Sequence, residues 1–236
     1  VAADGSTVLD QYPPEYPTQL AYPRQPVDVS YGRDSAGRLG FFRPVTPGET
    51  NGPAFQGLVA PVQLSYGRGF YDTNLLVTLT TATSGVEIRY TIDRTEPATN
   101  RGLIYSAPIE ITRTMVLRVA AFRPGWAPTE VITYTYVMPT NVIAASNMRR
   151  SITTNAIYGP QMRSALLDLP SVSIVTPSVI NGAREVKASI EWLRPDGEPG
   201  FQETCGVRNF GGAFTDFAKK SFRLYFRSEY GASKLK

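Results

Sequence analysis

The sequence predicts a mainly β protein built around a central antiparallel β-sandwich, with an extended Pro/Tyr-rich segment before it and a partial α+β lobe after it. Three observations predict it. Between Asn74 and Val137 apolar residues recur at every second position in short runs, the period of half-buried strands. Turn-forming residues separate those runs at Thr83-Ser84-Gly85, Asp93 to Pro97, Arg101-Gly102 and Pro124-Gly125. Helical spacing is confined to one stretch, Asn147 to Leu169.

Taken in chain order, Val1 to Gln11 offers a single strand centred on Thr7-Val8-Leu9, too little to bury a core by itself. Pro13, Pro14, Pro17, Pro23 and Pro26, set among Tyr12, Tyr16 and Tyr22, exclude helix and central strand from the next stretch, which reads as an extended arm or linker. Leu58 to Tyr66 supplies the first sandwich strand. In the second, Leu75, Val77 and Leu79 face the core and Leu76, Thr78 and Thr80 face away. Val86, Ile88, Tyr90 and Ile92 alternate with Glu87, Arg89, Thr91 and Asp93, so the apolar set is expected inside and the polar set in water. Ile109 and Ile111, then Met115 to Ala121, then Ile132 to Tyr136 continue the pattern with β-branched and aromatic residues.

After the sandwich, Met162, Ala165 and Leu166 predict a helix from about Pro160 to Asp168, stopped by Pro170. Strands follow at Val172 to Val175, at Glu185 to Leu193, around Val207 and from Lys220 to Phe226, with a turn at Pro195-Asp196-Gly197. The alternation through Ser189-Ile190-Glu191-Trp192-Leu193 places Trp192 in the core. The implied organisation is three segments, residues 1–57, 58–138 and 139–236.

Gly69-Phe70-Tyr71-Asp72, Val77-Thr78-Leu79, Glu87 to Asp93, Pro97, Tyr105, Pro108-Ile109, Leu117 to Phe122 and Pro124-Gly125 resemble the chitobiase/β-hexosaminidase C-terminal domain, which implies an immunoglobulin-like or fibronectin-III-like sandwich. At its turn the family carries Asp-Gly-Ser where this chain has Asp93-Arg94-Thr95, so an altered turn is expected there. Upstream, Asp28 to Arg33 with Phe41-Phe42 and Pro44 to Asn51 resembles the closing segment of a bacterial lamin-tail domain. Downstream, Leu169 to Val175, Gly206-Val207-Arg208, Gly211-Gly212 and Lys219 to Phe226 resemble the opening of the CotH kinase family. The three resemblances imply a segment of a bacterial surface protein that begins inside one domain and ends inside another.

Composition narrows the chemistry. The chain has 236 residues, a formal net charge of +4, one cysteine and no histidine. It therefore has no Ser-His or Cys-His pair and no imidazole metal ligand, which excludes the usual zinc sites. Cys205 reads as a small buried hydrophobe. Arg149-Arg150 and Lys219-Lys220 are adjacent basic pairs rather than a basic stripe, which argues against a nucleic-acid partner. No apolar run approaches the roughly twenty residues of a membrane span. Asp93, Glu96 and Asp72 lack the dense spacing of a calcium loop and read as turn-capping carboxylates.

The functional expectation is a non-catalytic structural or adhesive segment of an exported, extracellular or cell-surface protein, its sandwich a spacer or interaction module without cofactor, catalytic site or metal site. Incomplete β edges imply pairing with other chains or with copies of this one. The CotH resemblance implies an alternative, the front of a protein kinase that uses ATP and Mg only in a longer chain; Gly211, Gly212, Lys219 and Lys220 are its phosphate-proximal positions. A third reading is a carbohydrate-binding accessory module taking glycans, with Trp126 as the stacking platform.

Overall fold

The computed structural model describes residues 26–211 and 220–231. The strand expected at Val1–Gln11 and nearly all of the Pro/Tyr arm lie outside the described residues. The chain forms two compact units: residues up to Leu58 with Pro124–Ala127, and Val59–Arg123 with Pro128 onward.

In the first unit β1 (Ser30–Arg33) and β2 (Leu39–Phe42) form an antiparallel hairpin. Its turn is organised by Asp34, whose carboxylate accepts the main-chain N–H groups of Ala36 and Arg38, both at 2.9 Å. The loop Pro124–Ala127 joins this unit through two main-chain bonds, Gln56 N to Gly125 O and Ala127 N to Gly57 O, each 2.9 Å.

The second unit contains the sandwich. One layer is a five-stranded sheet in the order β4 (Gly69–Phe70), β11 (Ile132–Val137), β10 (Met115–Phe122), β7 (Glu87–Thr91), β8 (Leu103–Ile104). Facing it are two short pairs, β3 (Gln63–Leu64) with β6 (Leu79–Thr80) and β5 (Leu75–Val77) with β9 (Ile109–Ile111). Leu75, Val77, Leu79, Ile109 and Ile111 from the short pairs and Leu117, Val119, Ala121 and Tyr136 from the larger sheet are all buried and form the core. The expected mainly β sandwich is present, and the inward set Leu75/Val77/Leu79 is as the alternation predicts.

Two expectations about its faces fail. At the end of β7 the polar Thr91 is buried while Ile92, just past the strand, is 45% exposed. Thr91 stands directly opposite Arg118 on β10 and its hydroxyl donates to the Thr95 carbonyl at 2.5 Å, so the turn that follows draws it inward. The face expected to be wet on β10 and β11 is also closed: Arg118, Ala120, Thr133 and Thr135 are buried. The altered Asp93-Arg94-Thr95 turn keeps a glycine-like backbone, since Arg94 adopts φ 73°. Asp93 holds it by accepting the Thr95 N–H at 3.0 Å and hydroxyl at 2.6 Å.

After β11 come α1 (Pro139–Ala144), α2 (Arg150–Thr153) and a 3-10 turn (Gly159–Gln161) leading into α3 (Met162–Leu167). The predicted helix is thus a composite, and α1 was not legible because its six residues carry no apolar period. The chain then forms a four-stranded antiparallel meander, β12 (Ser171–Val175), β13 (Val186–Leu193), β14 (Gln202–Phe210) and β15 (Ser221–Tyr225). Val186, Ala188 and Val207 are buried at its core, with Ile174, Ile180 and Leu224 packed against them. Cys205 is fully buried as expected, and burial pushes its thiol up to about 11. Trp192 is not core: it is 36% exposed, while its neighbour Glu191 is completely buried. On β13 the Glu191 face is turned toward β11, and the opposite face runs out at Trp192.

Candidate functional site

The most constrained chemistry in the molecule lies where the meander meets the sandwich. Strand β4 pairs with β11 only at Tyr136 and Val137, so the preceding edge of β11 has no strand partner. Unpaired main-chain groups on a buried edge are costly, and here side chains replace the missing strand. Glu191 and Gln202 are cross-strand partners on β13 and β14. Gln202 Oε1 accepts the Thr133 N–H at 2.6 Å, and Glu191 Oε1 accepts the Thr135 N–H at 3.1 Å. Arg68 Nη2 donates to the Thr133 carbonyl at 3.2 Å.

Glu191 is the centre of this seam. Its second oxygen accepts the Thr135 hydroxyl, and Arg68 Nε lies 3.2 Å from the first. Ser173 Oγ lies 2.8 Å from Thr135 Oγ1 and is a further hydrogen-bond partner of the Glu191 carboxylate. The Arg68 guanidinium also stacks over Tyr134, 4.8 Å from the ring centre. Burial raises the Glu191 carboxyl above the ordinary range; the Thr135 hydroxyl and Arg68 oppose that shift without cancelling it.

A second charged cluster ties the same elements together nearer the surface. Glu96 bridges Arg118 Nη2 at 3.1 Å and Lys187 Nζ at 3.0 Å, and the Arg94 carbonyl accepts from Arg118 Nη1 at 3.0 Å. Burial pushes the Glu96 carboxyl up, but Lys187 and Arg118 outweigh it and the group lies below its ordinary value.

The residues singled out in the sequence are dispersed. Gly211, with φ 108°, and Lys220, which is exposed, flank the Phe210–Ser221 pair that ends the β14–β15 ladder; Gly212 and Lys219 lie outside the described residues. Trp126 sits in the first unit, half-buried, its ring laid over Gly57 so closely that a Cβ there would stand 2.7 Å from ring carbon Cζ3. Asp93 caps its own turn, Asp72 pairs with Arg163 at 2.6 Å and Glu96 is held by two cations. Among the described residues no group of three or more Cys, Asp or Glu is placed to hold a metal ion. Sequence reasoning missed Glu191, Gln202 and Arg68. No pattern marked them, since the alternation put Glu191 on the outward face of β13 and Gln202 opens a strand, β14, that also carries Glu203, Thr204, Arg208 and Asn209.

No helix among the described residues is long and apolar enough to cross a membrane. No curated protein and no solved structure matches the chain. Residues 67–133, from just before β4 into β11, match the family model of the chitobiase/beta-hexosaminidase C-terminal domain, and the sandwich is similar to that module over this stretch.

Proposed function

We propose that this chain is a non-catalytic accessory segment of an exported multidomain protein, in which the sandwich and the meander act as one rigid spacer. The observation that carries this reading is the seam at Glu191. A flexible linker would leave the β11 edge to water, whereas here Glu191, Gln202 and Arg68 satisfy it with side chains from both sides of the junction. Glu191, Thr133 and Thr135 are buried, so separating the two elements would strand them unpaired, and the junction resists bending. Export and a surface location are supported by the similarity of residues 67–133 to the chitobiase/beta-hexosaminidase C-terminal domain, a module of extracellular proteins, and the lamin-tail and CotH resemblances of the flanks are part of the same proposal.

The test is hydrogen exchange of the full chain. Amides of β10, β11 and β13 exchange with one common opening free energy if the spacer is rigid; independent opening of β13 overturns the reading.

The kinase-type alternative has one supporting observation, the placement of Gly211 and Lys220 on either side of a hairpin mouth. Phosphate transfer from radiolabelled ATP by a longer chain, abolished by Lys219→Ala with Lys220→Ala, supports it; transfer that is absent or insensitive removes it. Pairing with a second copy belongs to the same proposal. Strand β8 ends its sheet with Leu103 and Ile104 both more than half exposed, and a mass independent of concentration in sedimentation would refute association there.

A further inference from the structure

We infer that the cleft beside Trp192 is a binding site for a neutral saccharide. The inference goes beyond the spacer reading and rests on different residues. Trp192 is the penultimate residue of β13, where Phe201 stands across the strand on one side and Val172 on the other. The Trp192 and Phe201 rings are parallel, with centroids 6.4 Å apart. The backbone beneath is fixed: Trp192 N donates to Phe201 O at 3.0 Å, and a Cβ on Gly200 would stand 1.7 Å from the Trp192 carbonyl oxygen. The indole is therefore held by its strand and its neighbour while more than a third of its surface stays exposed. A large aromatic held in that way offers contact area at little cost in side-chain freedom.

The exposed indole forms one wall of an open cleft of ≈ 490 Å³, whose other lining includes Asp168, Pro170, Arg194 and Asp196. That volume falls in the range of small-molecule sites. Asp168 is the residue that ends α3, and its carboxylate has no hydrogen-bond or ion-pair partner among the described residues. Arg194 is gripped in a fork by Asp196, Nε to Oδ1 at 3.1 Å and Nη2 to Oδ2, which orients the guanidinium and leaves its other N–H donors outside the fork.

The ligand class follows from this inventory. A pyranose ring has an apolar C–H face edged by hydroxyls that both donate and accept. Trp192 matches the face, Asp168 and Asp196 match hydroxyl donors, and Arg194 matches hydroxyl acceptors. Two carboxylates against one guanidinium disfavour an anion. A fixed guanidinium beside the ring disfavours a cation. An extended proline-rich peptide would use the aromatic wall but leave the three charged groups without a role.

The test is titration of the full chain, in a Trp126→Phe background so that fluorescence reports Trp192 alone, with cellohexaose, mannohexaose and the hexamer of N-acetylglucosamine. At least one hexasaccharide should bind at a single site and shift the emission. Trp192→Ala, followed by calorimetry, should weaken it about tenfold or more, and Asp168→Asn, which leaves the sheet untouched, several-fold. Trp192→Phe, which keeps a ring and guards against a folding defect, should retain part of the affinity. No binding of any of the three sugars, binding unchanged by both Trp192→Ala and Asp168→Asn, or binding confined to a proline-rich control peptide would overturn the inference.

Discussion

The Glu191 carboxylate on β13 accepts two hydrogen bonds from Thr135 on β11, one from its main-chain nitrogen at 3.1 Å and one from its hydroxyl. One residue of the meander therefore completes the backbone ladder of a sandwich strand, and Arg68 is its charge partner. Removing one member of a buried pair leaves the other uncompensated. Glu191→Ala is expected to cost about 3 kcal/mol or more, and Glu191→Gln, which keeps an acceptor toward Thr135, about 1 kcal/mol. Urea denaturation of the full chain checks the order of the two.

The pH dependence of the two carboxylates runs in opposite directions. Glu191 has a raised folded value, so the native state binds its proton more tightly than the unfolded chain. Its contribution is greatest below the ordinary carboxylate range and is lost as pH rises through the raised value. Glu96 has a lowered value, so its contribution is present above the ordinary range and lost on acidification. In denaturation curves across the acid to neutral range, Glu191→Gln should flatten the alkaline-side decline and Glu96→Gln the acid-side one. An exposed contribution from Glu96 should also shrink in high salt.

Arg94 occupies a left-handed backbone position, φ 73°, that a side chain adopts at a cost. Its carbonyl, which accepts from Arg118, survives substitution. Arg94→Gly should therefore stabilise the chain by about 1 kcal/mol, read as a rise in melting temperature.

Thr133 is fully buried and its hydroxyl has no hydrogen-bond partner, although its N–H and C=O are both engaged. Thr133→Val keeps the shape and removes the unsatisfied oxygen. A gain of about 1 kcal/mol is expected from equilibrium unfolding, and a loss would show that the hydroxyl is satisfied.

Gly57 lies under the Trp126 ring with no room for a side chain. Gly57→Ala should destabilise the first unit by about 1–3 kcal/mol through overpacking, and should move the Trp126 emission toward that of an exposed indole.

The sequence by itself determined the longer strands of the sandwich and most of their core set, while the two-residue strands β4 and β8 carry too short a run to show alternation. Leu75, Val77, Leu79, Leu117 and Val119 lie inside because period-2 alternation maps directly onto the two faces of a sheet, a property of local backbone geometry. The meander strands were legible for the same reason, whereas their order β12, β13, β14, β15 came from the structure. Only the tertiary structure decided what covers the second face of β10 and β11. That depends on residues far apart in sequence, Thr135 and Glu191 among them, and alternation says which residues share a face without saying what packs on it. The same physics exchanged Trp192 with Glu191. Transfer preference alone puts an indole inside and a carboxylate in water, but the unpaired N–H groups of a buried strand edge need an acceptor, and Glu191 was the side chain on the face that could reach them.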